Sequence, residues 1–357
     1  MTEPLTSRER VALAIDHKEP DRVPIHDSLW GSTVSRWRRE GLPEDKSPAE
    51  FFGFDVRNFG ADLTPRFPTR VIEENDEYVI STTPQGGKRR NHRDHSTTPE
   101  VIACPIKTKD DWPPIKARMQ PDFKRLNWAS VTSSTARWRE EGLYIIFGAA
   151  SGYDCLQAYV RSEDLLIFMA TDPEFVKDMV DTLADLILAT MTMLAKEGVA
   201  FDALWLFNDM GYRNASLFSP QMYRAIIKPA DVRLWARAHE LGLQTILHSC
   251  GRVTELIPDL IDAGLDCLQP LEVKAGMDVG ELKRAFGADL ALFGGIDIRL
   301  MEDPDPSKIE AEIQTKFAAA MPGGGYVYHS DHSVPKDVSF ERYQAVMRLV
   351  RECGRYV

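Results

Sequence analysis

The sequence predicts an α/β fold in which eight parallel strands close into a (β/α)8 barrel, with one β-hairpin inserted near residues 66–95. Three observations carry that expectation. The second half repeats one rhythm: short apolar runs at 203–207, 244–247, 266–270, 289–293 and 326–328 are separated by helix-like segments at 220–241, 254–263, 279–286 and 306–321. The runs are continuous, as strands covered on both faces must be, and strands alternating with helices build a parallel sheet. Three further candidates at 23–25, 55–60 and 144–147 bring the count to the eight that a closed barrel needs. A doubly wound open sheet is the competing reading, but no Gly-x-Gly-x-x-Gly turn follows the first strand. The whole chain, 1–357, reads as one such domain.

Taken in order, the elements have local causes. A short helix over 7–16 carries Val11, Leu13, Ala14 and Ile15, and Val23-Pro24-Ile25 forms a brief strand ending in His26-Asp27. Ser47 caps a helix opened by Pro48, with Gly53 past its end. From residue 66 the character changes. Arg70-Val71-Ile72 and Tyr78-Val79-Ile80-Ser81 flank a charged turn, and Pro84-Gln85-Gly86-Gly87 supplies another, so Lys88-Arg89-Arg90 falls on the exposed side of a hairpin. After a helix-like region over 121–141, Asp172 and Pro173 open the clearest helix, with Asp172 as N-cap and Pro173 in the first turn. Its stripe of Phe175, Met179, Leu183, Leu186, Ile187 and Leu194 reads as core packing, and Gly198 closes it. Gly242, Gly264 and Gly287 stand where later helices end.

Composition narrows the function. The formal net charge of −11 argues against nucleic acid or an anionic membrane as partner, because phosphates are held by excess Lys and Arg. No apolar stretch approaches the roughly 18 residues of a membrane span, and the first ten residues lack the pattern of a signal peptide. The expected location is cytoplasmic. Five scattered cysteines, an odd number, do not make a disulfide framework.

Barrel chemistry sits at the carboxyl ends of the strands. Here those ends are His26-Asp27, Asp62, 148–153, Asn208-Asp209, His248-Ser249-Cys250, 269–272, 294–297 and 329–332, and they hold four of the eight histidines. Apolar strands that end repeatedly in ionisable residues point to a site. His248 and Cys250 stand two apart, so on a strand they face one side. Three protein ligands and an open position characterise catalytic zinc, and His332 completes a set with that pair. His329 and His332 are three apart and face opposite ways, so one of them is a ligand. The plainer alternatives are a hydrogen-bonded imidazole and a small buried thiol. Asp209 reads as an orienting group, a general acid or base, or a polar turn. Glu272 reads as a fourth ligand, a proton carrier or a solvent-facing carboxylate. The substrate wall is expected from His26, Asp27, Trp30, Tyr153, Asn208, Gly295, Asp297 and His329, with Gly295 allowing close backbone approach. Gly323-Gly324-Gly325 precedes a strand and is a turn.

Several stretches together resemble the uroporphyrinogen decarboxylase superfamily. They are Asp21-Arg22-Val23-Pro24, Asn208-Asp209-Met210-Gly211, Ser219-Pro220-Gln221-Met222-Tyr223, His248-Ser249-Cys250-Gly251, Phe293-Gly294-Gly295-Ile296-Asp297, and Gly324-Gly325-Tyr326 through His332. The resemblance implies a (β/α)8 barrel and separates two branches. Decarboxylases of the superfamily carry an Arg-Gln-Ala-Gly-Arg loop after the first strand and an aspartate after the second. Here the first loop, His26 to Gly31, has no arginine to clamp a polycarboxylate, and Asp62 matches the aspartate approximately. The other branch is similar to cobalamin- and coenzyme-M-type methyltransferases, which bind zinc through a His-x-Cys pair and a third ligand near the last strand. His248 and Cys250 match the pair, and His332 stands near the third position. That branch implies zinc and a methyl group passed between a small thiol, ether or amine and a corrinoid on a partner protein. The alternatives are a metal-free lyase acting on a tetrapyrrole or smaller acid, and a non-catalytic barrel that binds a corrinoid or other ligand.

Overall fold

A computed structural model of the chain describes residues 4–94 and 98–356, so the last residue of the expected hairpin, at 95, lies outside the described residues. In chain order the strands are β1 Val56–Gly60, β2 Val71–Glu74, β3 Tyr78–Thr82, β4 Lys88–His92, β5 Glu100–Ala103, β6 Tyr144–Ala150, β7 Ala203–Phe207, β8 Gln244–His248, β9 Cys267–Gln269, β10 Ala291–Phe293 and β11 Tyr326–Val327. A seven-stranded parallel sheet runs β1-β6-β7-β8-β9-β10-β11, and β2 to β5 form a separate antiparallel sheet. Residues of β6 to β11 are buried almost throughout, which is why their sequences read as unbroken apolar runs.

The expected first strand, Val23-Pro24-Ile25, does not form a ladder. Pro24 has no N–H to give, and the N–H of Ile25 goes to the Asp55 carboxylate at 2.6 Å. One isolated parallel bridge, Ile25 to Tyr328, remains on one side, where His26 also donates to the Tyr328 carbonyl at 3.1 Å, and one bond remains on the other. Tyr328 donates to the Pro24 carbonyl at 2.9 Å, and Asp55 donates to that of Ile25 at 2.7 Å, so the segment touches the residues flanking both edge strands.

The insertion is larger than the expected hairpin. A fourth strand, β5, pairs with β4 and extends the antiparallel sheet to Ala103. Its Val101 and Ile102 stay exposed, so no burial pattern marked it in the sequence.

The parallel sheet separates two cores. Val56, Tyr144, Ile146, Trp205, Ile246, Cys267, Phe293 and Val327 pack on one face with Val11, Ala14 and Ile15 from the helix Ser7–Ile15. Alternate positions such as Phe147, Leu204, Leu206, Leu247, Leu268 and Leu292 pack on the other, against helices. The stripe of helix Pro173–Lys196 lies in that outer core as its spacing predicts. Asp172 sits at the N-cap, but its side chain makes no capping bond and reaches Lys109 at 3.3 Å. No helix among the described residues is long and apolar enough to cross a membrane.

Candidate metal centre

Period-two alternation builds the site. Ile246, Cys267 and Val327 lie on the inner face, so the residues two further on, His248, Gln269 and His329, rise from that face at the carboxyl ends. The loops after β7 and β8 are then joined. Asn208 donates to the His248 carbonyl at 2.9 Å, Gly211 to that of Cys250 at 3.1 Å, and Arg252 to that of Tyr212 at 2.7 Å. Glycine is required at the join: a Cβ on Gly211 would lie 2.4 Å from the carbonyl carbon of Gly251, whose φ is +76°.

This join brings together Asp209, His248 and Cys250, with one ligand atom from each lying within 4.8 Å of the others. Nε2 of His248 is 3.4 Å from Cys250 Sγ and 3.4 Å from Asp209 Oδ1. The same carboxylate oxygen accepts the Cys250 N–H at 2.8 Å. Nδ1 of His248 is held by Gln269 Oε1. Glu272 accepts the Gly251 N–H at 2.6 Å and pairs with Lys274 at 3.0 Å. A cleft of about 920 Å³ opens over Asp209, Cys250 and Glu272, edged by Arg213, Lys274 and Arg299.

Burial, with the Asp209 and Glu272 carboxylates alongside, pushes the Cys250 thiol well above its ordinary range. Burial and the Asp209 charge raise the neighbouring Asp154 carboxyl to about 6. The Asp209 and Glu272 carboxylates disfavour a thiolate at Cys250, so the sulfur favours either its proton or a metal.

The other expected residues divide by place. Trp30 stacks on His332 with ring centroids 6.5 Å apart. His332 lies outside the 4.8 Å group. Burial and the Lys274 charge hold its imidazole below the usual range. His329 and Asp27 are buried under the site, where Tyr343 donates to Asp27 at 2.7 Å. His26 stands beside His329, edge-on to Phe54, Trp205 and Phe293, and desolvation with the neighbouring His329 holds its imidazole well below the usual range. Tyr153 bonds Ser162 at 2.7 Å, and buried Asn208 accepts the Asp154 N–H at 3.1 Å. Asp297 caps the helix Ile298–Glu302 and pairs with Arg299 at 2.6 Å. Gly295 has φ +81° beside Val279. Asp62 is turned back on Thr64 at 2.6 Å and Arg66 at 3.2 Å.

Sequence reasoning did not single out Gln269 or Asp154. Gln269 had a signal, since it stands two residues beyond an inner-face position. Asp154 had none, because only packing shows that it faces Asp209.

The chain is 26% identical over 287 residues to a methylated-thiol–coenzyme M methyltransferase of Methanosarcina mazei, spanning 73% of this chain and 75% of that protein. It is 26% identical over 194 residues to a uroporphyrinogen decarboxylase of Bacillus mycoides, spanning 53% of this chain and 51% of that one, so it matches about half of that enzyme's length. A solved structure of a methyltransferase from Methanosarcina mazei shares the fold, at TM-score 0.69 and 16% identity over 98% of this chain and 99% of that one. Residues 93–353 match the family model described as uroporphyrinogen decarboxylase (URO-D), and the chain belongs to that family.

Proposed function

We propose that this protein is a zinc-dependent methyltransferase that moves a methyl group between a small thiol, ether or amine and a corrinoid carried on a partner protein. In this reading the parallel sheet is a (β/α)8 barrel closed through 23–26, and the partner docks over the cleft at its carboxyl end. The carrying observation is the convergence of His248, Cys250 and Asp209 beneath that cleft.

The donor set fits zinc: an imidazole nitrogen, a sulfur and a carboxylate oxygen, one of each, leave a fourth position toward the cleft. Gln269 holds the far nitrogen of His248, as the outer partner of a ligating imidazole does. Bound zinc supplies Lewis acidity to a substrate heteroatom, lowering the pKa of an acceptor thiol or improving a leaving group. The remaining chemistry belongs to the chain. Asp209 fixes the Cys250 backbone while offering its carboxylate as third donor, with His332 as the competing donor from the facing loop. Glu272 fixes Gly251, and Asp154 and Asp331 are carboxyls raised to about 6, each able to hold a proton in weak acid. Trp30, stacked on His332, fixes the plane of that imidazole.

Elemental analysis of protein purified without added metal tests the first step. Near-stoichiometric zinc is expected, and chelation should abolish methyl transfer to a corrinoid. Less than about a tenth of an equivalent, unrestored by added zinc, ends the reading. Likeness to decarboxylases favours one second reading, a metal-free lyase. Decarboxylation that survives Cys250→Ala would establish it, and tight ligand binding without turnover would mark a binding barrel.

A further inference from the structure

We infer that Gln269 and His329 fix the proton register of His248, placing its proton on Nδ1 and its lone pair on Nε2, toward Cys250 and Asp209. Nδ1 of His329 bonds the carbonyl oxygen of Ser330, which can only accept, so Nδ1 carries a proton. Asp27 Oδ1, 3.7 Å from the same nitrogen, agrees with a donor there. Neutral His329 therefore presents a lone pair on Nε2, where the Ser28 hydroxyl at 3.1 Å and the Gln269 amide nitrogen at 3.4 Å both donate. With its NH2 committed to His329, Gln269 must turn its oxygen to His248 Nδ1, which then holds the proton.

The reversed amide fails on charge. It would need protons on both nitrogens of His329, a cation in a ring that is 1% exposed. It would also put the His248 proton on Nε2, where Asp209 Oδ1 at 3.4 Å accepts it, so the choice between the two amide orientations is made at His329. Gln269 and His329 are positioning residues: neither joins the three-donor group, and both act through His248. The consequence for zinc rests on the reading proposed above, whereas the register is a property of the metal-free chain.

The test is proton–nitrogen correlation NMR on metal-free protein carrying isotope-labelled histidine. His248 should show a protonated Nδ1 and a bare Nε2. In Gln269→Leu and His329→Leu it should become a mixture of tautomers, and zinc affinity, read by chelator competition, should fall about 10–100-fold in Gln269→Leu. A wild-type His248 protonated on Nε2, or one unchanged in folded His329→Leu, overturns the inference. If His329→Leu does not fold, the wild-type spectrum decides alone. The stated tautomer in a protein that binds no zinc would end the metal reading and leave the register standing.

Discussion

The two ends of the same strands treat their carboxylates in opposite ways. At the amino end, Asp55 is fully buried yet satisfied: it accepts from Ser7, Arg10, Arg22 and the Ile25 N–H at 2.6–3.0 Å. Asp202 is likewise held by Arg8, Arg139 and the Ile145 N–H. At the carboxyl end, Asp209, Asp154 and Glu272 crowd a thiol and an imidazole, with Lys274 as the cation paired to Glu272. One end spends its charge on holding chain segments together. The other keeps donor atoms facing a cleft.

Substitution can break or sharpen that contrast. The largest effect is expected at the amino end. Asp55→Ala leaves Arg10 without one of its buried partners and frees the Ile25 N–H, and should lower stability by about 3–5 kcal/mol in urea unfolding. A loss under about 1 kcal/mol would remove the structural role given to this end. Cys250→Ala should do the reverse, cutting zinc affinity by more than about 100-fold while leaving metal-free stability within about 1 kcal/mol. Next comes the third donor. Asp209→Ala is expected to weaken zinc binding by at least about 10-fold and His332→Ala by less; the opposite order would make His332 the ligand.

The smallest effect is a pH dependence. The Asp154 carboxyl is raised to about 6 from an ordinary 3.8, so the folded metal-free protein holds that proton more tightly than the unfolded chain. Stability from this group is complete below pH about 4 and is lost as pH rises to about 6. Asp154→Asn should flatten that decline and, after allowance for partial exposure, raise stability at pH 8 by about 1–2 kcal/mol. An unchanged profile in melts of metal-free protein would count against the crowding described for the carboxyl end.

Much was legible beforehand, for reasons that stay local. Seven of the eight expected strands ladder, and six of them, β6 to β11, stand on continuous apolar runs, because a strand buried on both faces has no polar alternation to hide it; β1, with Arg57 and Asn58, does not follow that pattern. His248 and Cys250 share a side because a two-residue step restores the face. The failures were also physical. Val23-Pro24-Ile25 did not ladder, since a proline and a distant carboxylate took its donors, and β5 was invisible because its apolar side chains are not buried.

By itself, then, the sequence determined the alternation of strands and helices, the inner face and the pair of soft donors on it, all set by periodicities of a few residues. The tertiary structure decided which carboxylate joins that pair. Asp209 stands 39 residues before His248 and meets it through two glycines, Gly211 and Gly251, that let their loops touch. It also decided the company of Gln269 with His329, 60 residues apart, whose hydrogen bonds set how His248 faces the cleft. Such contacts depend on where separate loops come to rest, and no local pattern records that.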